Sequence, residues 1–482
     1  MMRIERICAD FFKIRVIRKN PRHPRSFLPC EHAIRSSNSR IALPLSFVKQ
    51  LTMLLRSICF LLSFASGLLA AQTPVPAPAQ KTAVLIMGAT AHLGNGTVIA
   101  NSAIAFENGQ LTLVADATTI RIDRTKYGKI FDATGKQVYP GFIATDSRLG
   151  LVEIDAARST VDYAEVGSLN PSTRSLIAYN ADSEILPTVR NTGVLLAQIT
   201  PAGGMISGTS SVVQLDAWNW EDAVYRPDDG VHLNWPVLRS PAAIETGSPE
   251  VKKNEQYDKD VLALRRFFEE ARGYFLQPAP EVKNLKFEAM RGVFDRKQNL
   301  YFHTDAARTI QEAVLFAESF GLRSVVVGAG DAWLVTDFLK THKVPVILAK
   351  TQRLPSREDE DVDQPFKTAT ALQENGVLFA FSEAGSWRQR NLAFQAGQAV
   401  GFGLPYEAAV GALTLNTAKI LGIEATTGSL EPGKDATLFI CEGDALDMRT
   451  AQVTAAFIRG REISLDNKQK ALYQKYEQKY RQ

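Results

Sequence analysis

Between Asn299 and Leu421 the chain alternates short apolar runs with amphipathic segments, and this rhythm limits the fold more than any other feature. Asn299–Phe302 reads as a strand, and Ala306–Phe320 as a helix with Ile310, Val314, Ala317 and Phe320 on one face. Ser324–Val327 is a second strand, followed by a helix that Asp331 caps and that runs to Thr341. Val344–Leu348 and Val377–Ala380 repeat the pattern on either side of a helical stretch near Thr370, and Pro405 opens a last helix to Leu421. Repeated βα units bury each strand under helices. They predict an α/β fold, a TIM-like (β/α)8 barrel.

The flanks read differently. Ala83–Met87, Ser102–Phe106 and Leu111–Val114 are short strands separated by Gly94-Asn95-Gly96 and Glu107-Asn108-Gly109. Similar β segments return at Ala436–Ile440 and Val453–Ile458. Residues 203–280 read as an insertion with Trp218, Trp220 and Trp235 and a charged helix from Tyr257 to Phe275. A polar tail, 464–482, ends the chain.

The N-terminal part predicts a compartment. Met53-Leu54-Leu55-Arg56, an apolar run from Ser57 to Leu69 and Ala70-Ala71 have the form of a secretory signal peptide. A leader of that kind is read at an emerging N-terminus, so residues 1–52 are expected to be a wrongly extended start. Residues 53–71 are then the leader, 72–81 a Pro/Ala linker, and the location periplasmic or secreted, with no membrane span in the mature chain. The formal charge of +4 hides an uneven split. Residues 1–52 carry 11 Lys/Arg against three Asp/Glu, and the remainder carries 44 against 48. A slightly acidic body leaves no nucleic-acid footprint. Without the leader only Cys441 remains, which excludes an internal disulfide, and four histidines remain: His92, His232, His303 and His342.

Two segments carry a family resemblance. Gly135–Ile143 (GKQVYPGFI) resembles the junction at which amidohydrolases pass from a β-sandwich into the first barrel strand. Thr414–Gly422 (TLNTAKILG) followed by Gly428–Ala436 (GSLEPGKDA) resembles the return, with Thr417 where the family commonly has Pro. The nearest branch is the secreted imidazolonepropionase-like amidohydrolases. The resemblance implies a composite β-sandwich from 82–138 and 426–463 around a barrel at 139–425. Gly428–Lys434 also fits a phosphate loop until Asp435, which stands where Ser or Thr is needed, and it leads from helix to strand. That alternative is rejected.

The family's metal-assisted hydrolysis implies His-x-His on strand 1, single histidines on strands 5 and 6, and an Asp on strand 8. Here Asp146 and Arg148 occupy the first pair, and a guanidinium has no lone pair to give. His303 matches strand 5, Val327–Gly330 offers nothing on strand 6, and Glu383 stands beside the strand-8 place. The di-metal set is therefore read as largely missing. A single divalent metal such as Zn on Asp146 and His303, with Glu383 as a third ligand or as the catalytic group, is one alternative. The other is a barrel histidine bonded to Asp305 or Arg148, with Arg148 pairing Asp146 or Glu383 in the metal's space. Arg148, Ser382, Arg388 and Arg390 are the expected pocket residues. Asp359-x-Asp361-x-Asp363 reads as a solvated acidic loop, since Gln364 replaces the turn glycine of a Ca²⁺ loop. Gly203–Ser210 reads as a hairpin over the barrel mouth.

Two functions follow. One is an exported hydrolase of C–N bonds in a cyclic amide or small peptide, its standard metal-dependent activity in doubt. The other is a non-catalytic barrel that binds a small ligand or a partner protein, such as a second copy or a paralogous amidohydrolase.

Overall fold

The structure, a computed structural model, describes residues 75–241, 251–277, 280, 282–357, 359–383 and 385–481. The expected extension 1–52 and leader 53–71 lie outside the described residues.

The strands, in chain order, begin with β1 (Val84–His92), β2 (Val98–Glu107), β3 (Gln110–Asp116), β4 (Lys129–Asp132) and β5 (Gln137–Pro140). Next come β6 (Phe142–Ser147), β7 (Val194–Ile199), β8 (Ile206–Gln214) and β9 (Val224–Asn234). A ribbon of β10 (Arg239–Pro241) and β11 (Val251–Lys253) precedes β12 (Asn299–Thr304), β13 (Ser324–Gly328), β14 (Val346–Leu348) and β15 (Phe379–Phe381). The last are β16 (Leu438–Cys441), β17 (Val453–Ile458) and β18 (Arg461–Glu462).

Strands from both ends share one sheet, ordered β18-β17-β16-β5-β1-β2-β3, with β4 beside β1. The join is the antiparallel pair β5–β16, in which Pro140 faces Leu438. Alternate residues supply its core, among them Ile86, Ile104, Phe106, Val138, Leu438 and Phe457. Where a sandwich is expected, the hydrogen bonds define this single eight-stranded sheet.

The second sheet runs β6-β7-β8-β9-β12-β13-β14-β15. It is nearly closed, because Thr145 bridges Ser382 and its hydroxyl donates to Phe381 O at 2.9 Å. Two expectations are corrected here. The barrel is not all parallel: β8 is antiparallel to both β7 and β9. Nor is 203–280 wholly an insertion, since it supplies the wall strands β8 and β9; Gly203 and Gly204 lie in the turn that joins β7 to antiparallel β8, at the end of the barrel where β9 finishes. The reason lies in the interior. Ser207, Thr209, Ser210 and Ser211 make β8 look like a loop in sequence, yet all are buried.

The barrel interior changes character along its axis. Ile143, Leu196, Val212, Tyr301, Val325 and Ile347 form an apolar plug with Ile420 and Leu421. Gln198, Ser210, Asp229 and His232 lie buried among the same strands. Outside, the helix Tyr257–Phe275 buries Leu264, Phe267, Phe268 and Ala271 against Trp235, Phe302 and Phe316. The expected helix to Leu421 is two, Tyr406–Leu413 and Leu415–Leu421, broken at Thr414. The tail forms Lys468–Arg481, which buries no residue. Among the described residues no helix is long and apolar enough to cross a membrane.

One buried carboxylate ties the barrel to the rest. Asp216, just past β8, accepts from Arg190 Nη1 at 2.5 Å, Arg461 Nη1 at 2.8 Å and the backbone N–H of Ala77 at 2.9 Å.

Candidate metal centre

Strand pleating and one unusual dihedral assemble the site. His232 on β9 stands in register with Tyr301 on β12, and Asn234 with His303, so both imidazoles reach the inside at neighbouring levels. Val231 and Leu233 point outward into the helix layer. At the end of β6, Asp146 has φ +46°, a left-handed conformation that Asp tolerates better than most residues. This breaks the β6 alternation, with a register shift between Ala144 and Ser147.

Asp146, His232 and His303 each offer a ligand atom, and these atoms lie within 4.8 Å of one another. His232 Nδ1 is 2.9 Å from His303 Nε2. The set fits a divalent ion of the zinc type: one carboxylate and two imidazoles are the donors of an open catalytic site. The Arg148 guanidinium lies apart from the three ligand atoms. Arg148 lies over the Tyr163 ring at 4.4 Å from its centroid, so the ion pair expected with Asp146 or Glu383 is not made. Burial raises the Asp146 carboxyl above its ordinary range, against the pull of His303 and Arg148. Burial, then the neighbouring His303, holds the His232 imidazole well below its own.

A polar layer stands behind. His232 Nε2 is 2.9 Å from Ser210 Oγ, and Ser210 Oγ donates to Asp229 Oδ1 at 2.8 Å. Gln198 Nε2 and the Tyr301 hydroxyl donate to Asp229 Oδ2 at 2.8 and 2.7 Å. Gln198 Oε1 accepts the Asp146 N–H at 3.1 Å.

A cavity of about 780 Å³ opens over the centre and is lined by Asp146, His303, Ser382, Glu383 and Arg388, with Trp235 and Leu334 among its apolar walls. Four sequence-chosen residues thus meet Asp146 at one mouth. Arg148 and Arg390 are not among the lining; Arg390 is exposed on the turn Trp387–Asn391. His303 bonds to His232, not to Asp305 or Arg148. Glu383 is buried and committed: Arg388 Nε lies 3.1 Å from Oε1, and Gln395 Nε2 donates to Oε2 at 2.9 Å. The three tryptophans do not share one environment. Trp235 packs edge-on against Phe302 and Phe316, and Trp218 is exposed. In the acidic loop Asp359 pairs with Arg357 and Asp363 with Lys367, as a solvated loop would.

Sequence reasoning missed His232, Asp229, Ser210 and Gln198. The available signal was Val231-His232-Leu233-Asn234, an apolar–polar alternation in a chain with few histidines, masked by reading 203–280 as an insertion.

Residues 289–463 match the model of the amidohydrolase family. Among solved structures, the chain is similar to an amidohydrolase from Thermotoga maritima, at 23% identity and a TM-score of 0.67, covering 79% of this chain and 99% of that one. A Xaa-Pro dipeptidase with bound methionine follows at 14% identity and a TM-score of 0.49, covering 80% of this chain and all of that one. No curated protein matches the sequence.

Proposed function

We propose that this amidohydrolase-superfamily chain hydrolyses the C–N bond of a cyclic amide or short peptide at the centre formed by Asp146, His232 and His303. The observation that carries the reading is the convergence of one carboxylate and two imidazoles beneath the cavity, with no guanidinium among them. A divalent ion held by these three side chains would supply Lewis acidity and a bound water of lowered pKa. These three side chains would hold one ion rather than two, since Val327 and Gly328 at the end of β13 offer no further ligand side chain. Glu383 lines the same cavity and is the carboxylate able to take a proton from the attacking water. Arg388 Nε, 3.1 Å from Oε1, holds that carboxylate in place at the cavity wall. Trp235 and Leu334 offer apolar surface to the substrate.

Export on the Met53–Ala71 leader belongs to the same reading. A second reading, a non-catalytic binder of small ligands or of another protein chain, is favoured by one observation: both Glu383 oxygens are already engaged.

Elemental analysis of the purified chain, paired with a hydrolysis screen of cyclic amides and dipeptides, separates the two. We expect about one zinc-type ion per chain, lost in Asp146→Asn and His303→Gln together with hydrolysis. A metal-free protein without turnover would establish the binder instead.

A further inference from the structure

Asp229 is fully buried and stands behind the metal centre without contributing to it. Its three hydrogen bonds run to Gln198, Tyr301 and Ser210, and two of these partners touch the centre directly. We infer that Asp229 is a positioning residue that sets the tautomer of His232 through Ser210 and the backbone of Asp146 through Gln198.

The argument follows the protons. Ser210 has one, and of its two acceptors Asp229 Oδ1 at 2.8 Å is nearer than the Gly230 carbonyl at 3.2 Å; either leaves the serine without a proton for His232. The serine oxygen is then an acceptor toward His232 Nε2 at 2.9 Å, so that nitrogen carries the ring proton. His232 Nδ1 is left with its lone pair, aimed at His303 Nε2. On the other arm, the Gln198 amide donates to Asp229 Oδ2, which turns its carbonyl toward the Asp146 N–H. That bond holds the left-handed turn that carries the Asp146 carboxylate inward. The Tyr301 hydroxyl fills the last donor place on Asp229 while its ring lies flat on His232, centroids 4.5 Å apart. One carboxylate with no access to the cavity thus orients two of the three candidate ligands, a role that outer hydrogen-bond partners commonly play at metal sites.

The tautomer stands whether or not an ion binds; its consequence for zinc rests on the function proposed above. The test uses ¹⁵N-histidine-labelled full chain after dialysis against a chelator, with the His232 signals assigned by their loss in His232→Asn. We expect His232 protonated at Nε2 and bare at Nδ1. Ser210→Ala should release the other tautomer, and in zinc titrations it should weaken affinity by about 10- to 100-fold. Tyr301→Phe removes one donor without touching either arm and should leave the tautomer as it is. A wild-type His232 protonated at Nδ1 overturns the inference, as does Ser210→Ala with unchanged tautomer and unchanged zinc affinity. Failure of every variant, wild type included, to bind zinc overturns the metal reading alone, and the tautomer still decides the role of Asp229.

Discussion

The Tyr301 ring is stacked on the His232 imidazole, with centroids 4.5 Å apart and planes 11° from parallel. The stack exists because residue 230, beside His232's strand neighbours, is glycine. A Cβ there would meet the Tyr301 ring and the Asn299 carbonyl well inside contact distance. Gly230→Ala should therefore cost about 1–3 kcal/mol, as overpacking a filled core does. Urea unfolding measures it, and a loss below about 0.5 kcal/mol would show that Tyr301 moves aside freely.

Glu383 makes a sharper test of chemistry. Glu383→Gln keeps the shape of the side chain and its contact with Gln395, and removes the charge facing Arg388. If this carboxylate takes the proton, kcat should fall by about 10²- to 10⁴-fold while bound metal stays constant. An unaltered kcat would assign Glu383 to structure.

Asp216 predicts a stability effect far from the cavity. Its carboxylate faces both Arg190 and Arg461, and both the Asp216 and Arg190 side chains are nearly wholly buried. Asp216→Ala leaves a buried guanidinium uncompensated and should cost about 3–5 kcal/mol. Thermal or urea denaturation checks this, with Asp222→Ala, an exposed neighbour, as the reference.

The loop after β14 supplies the pH prediction. Burial alone would raise the Glu360 carboxyl, but hydrogen bonds from the Ser356 N–H and hydroxyl and from Arg353 outweigh it and leave it below the ordinary value of 4.5. A depressed folded-state value means that the stabilisation is complete above the unfolded value and is lost as pH falls through the folded one. The difference in urea midpoint between wild type and Glu360→Gln should be largest at neutral pH and close as acidification passes below the ordinary value of 4.5. A difference that is flat with pH would mean the hydrogen bonds do not depend on the charge.

The local pattern of this chain settled its local elements and carried the family resemblance. The strands at 299–304, 324–328 and 379–381, the helix Ala307–Ser319 and the return of β structure at 438–458 all follow from apolar periodicity, which reports the face each short segment must bury. Asp146, His303 and Glu383 were legible as candidates because each lies at or just past the end of a strand, where the family resemblance implies a ligand or acid–base group. The closing of the barrel was decided only in three dimensions. β8 is polar in sequence, since its serines and threonine face a polar barrel interior rather than a core, and no periodicity rule marks such a strand. With β8 unseen, β9 and His232 were unseen too. The fate of Arg148 was likewise tertiary: its charge lies on the Tyr163 ring, a partner that loop packing brings near and sequence spacing does not. A strand's residues fix what must be buried; only the assembled barrel fixes which buried groups face each other, and that is what places two imidazoles and a carboxylate within reach of one ion.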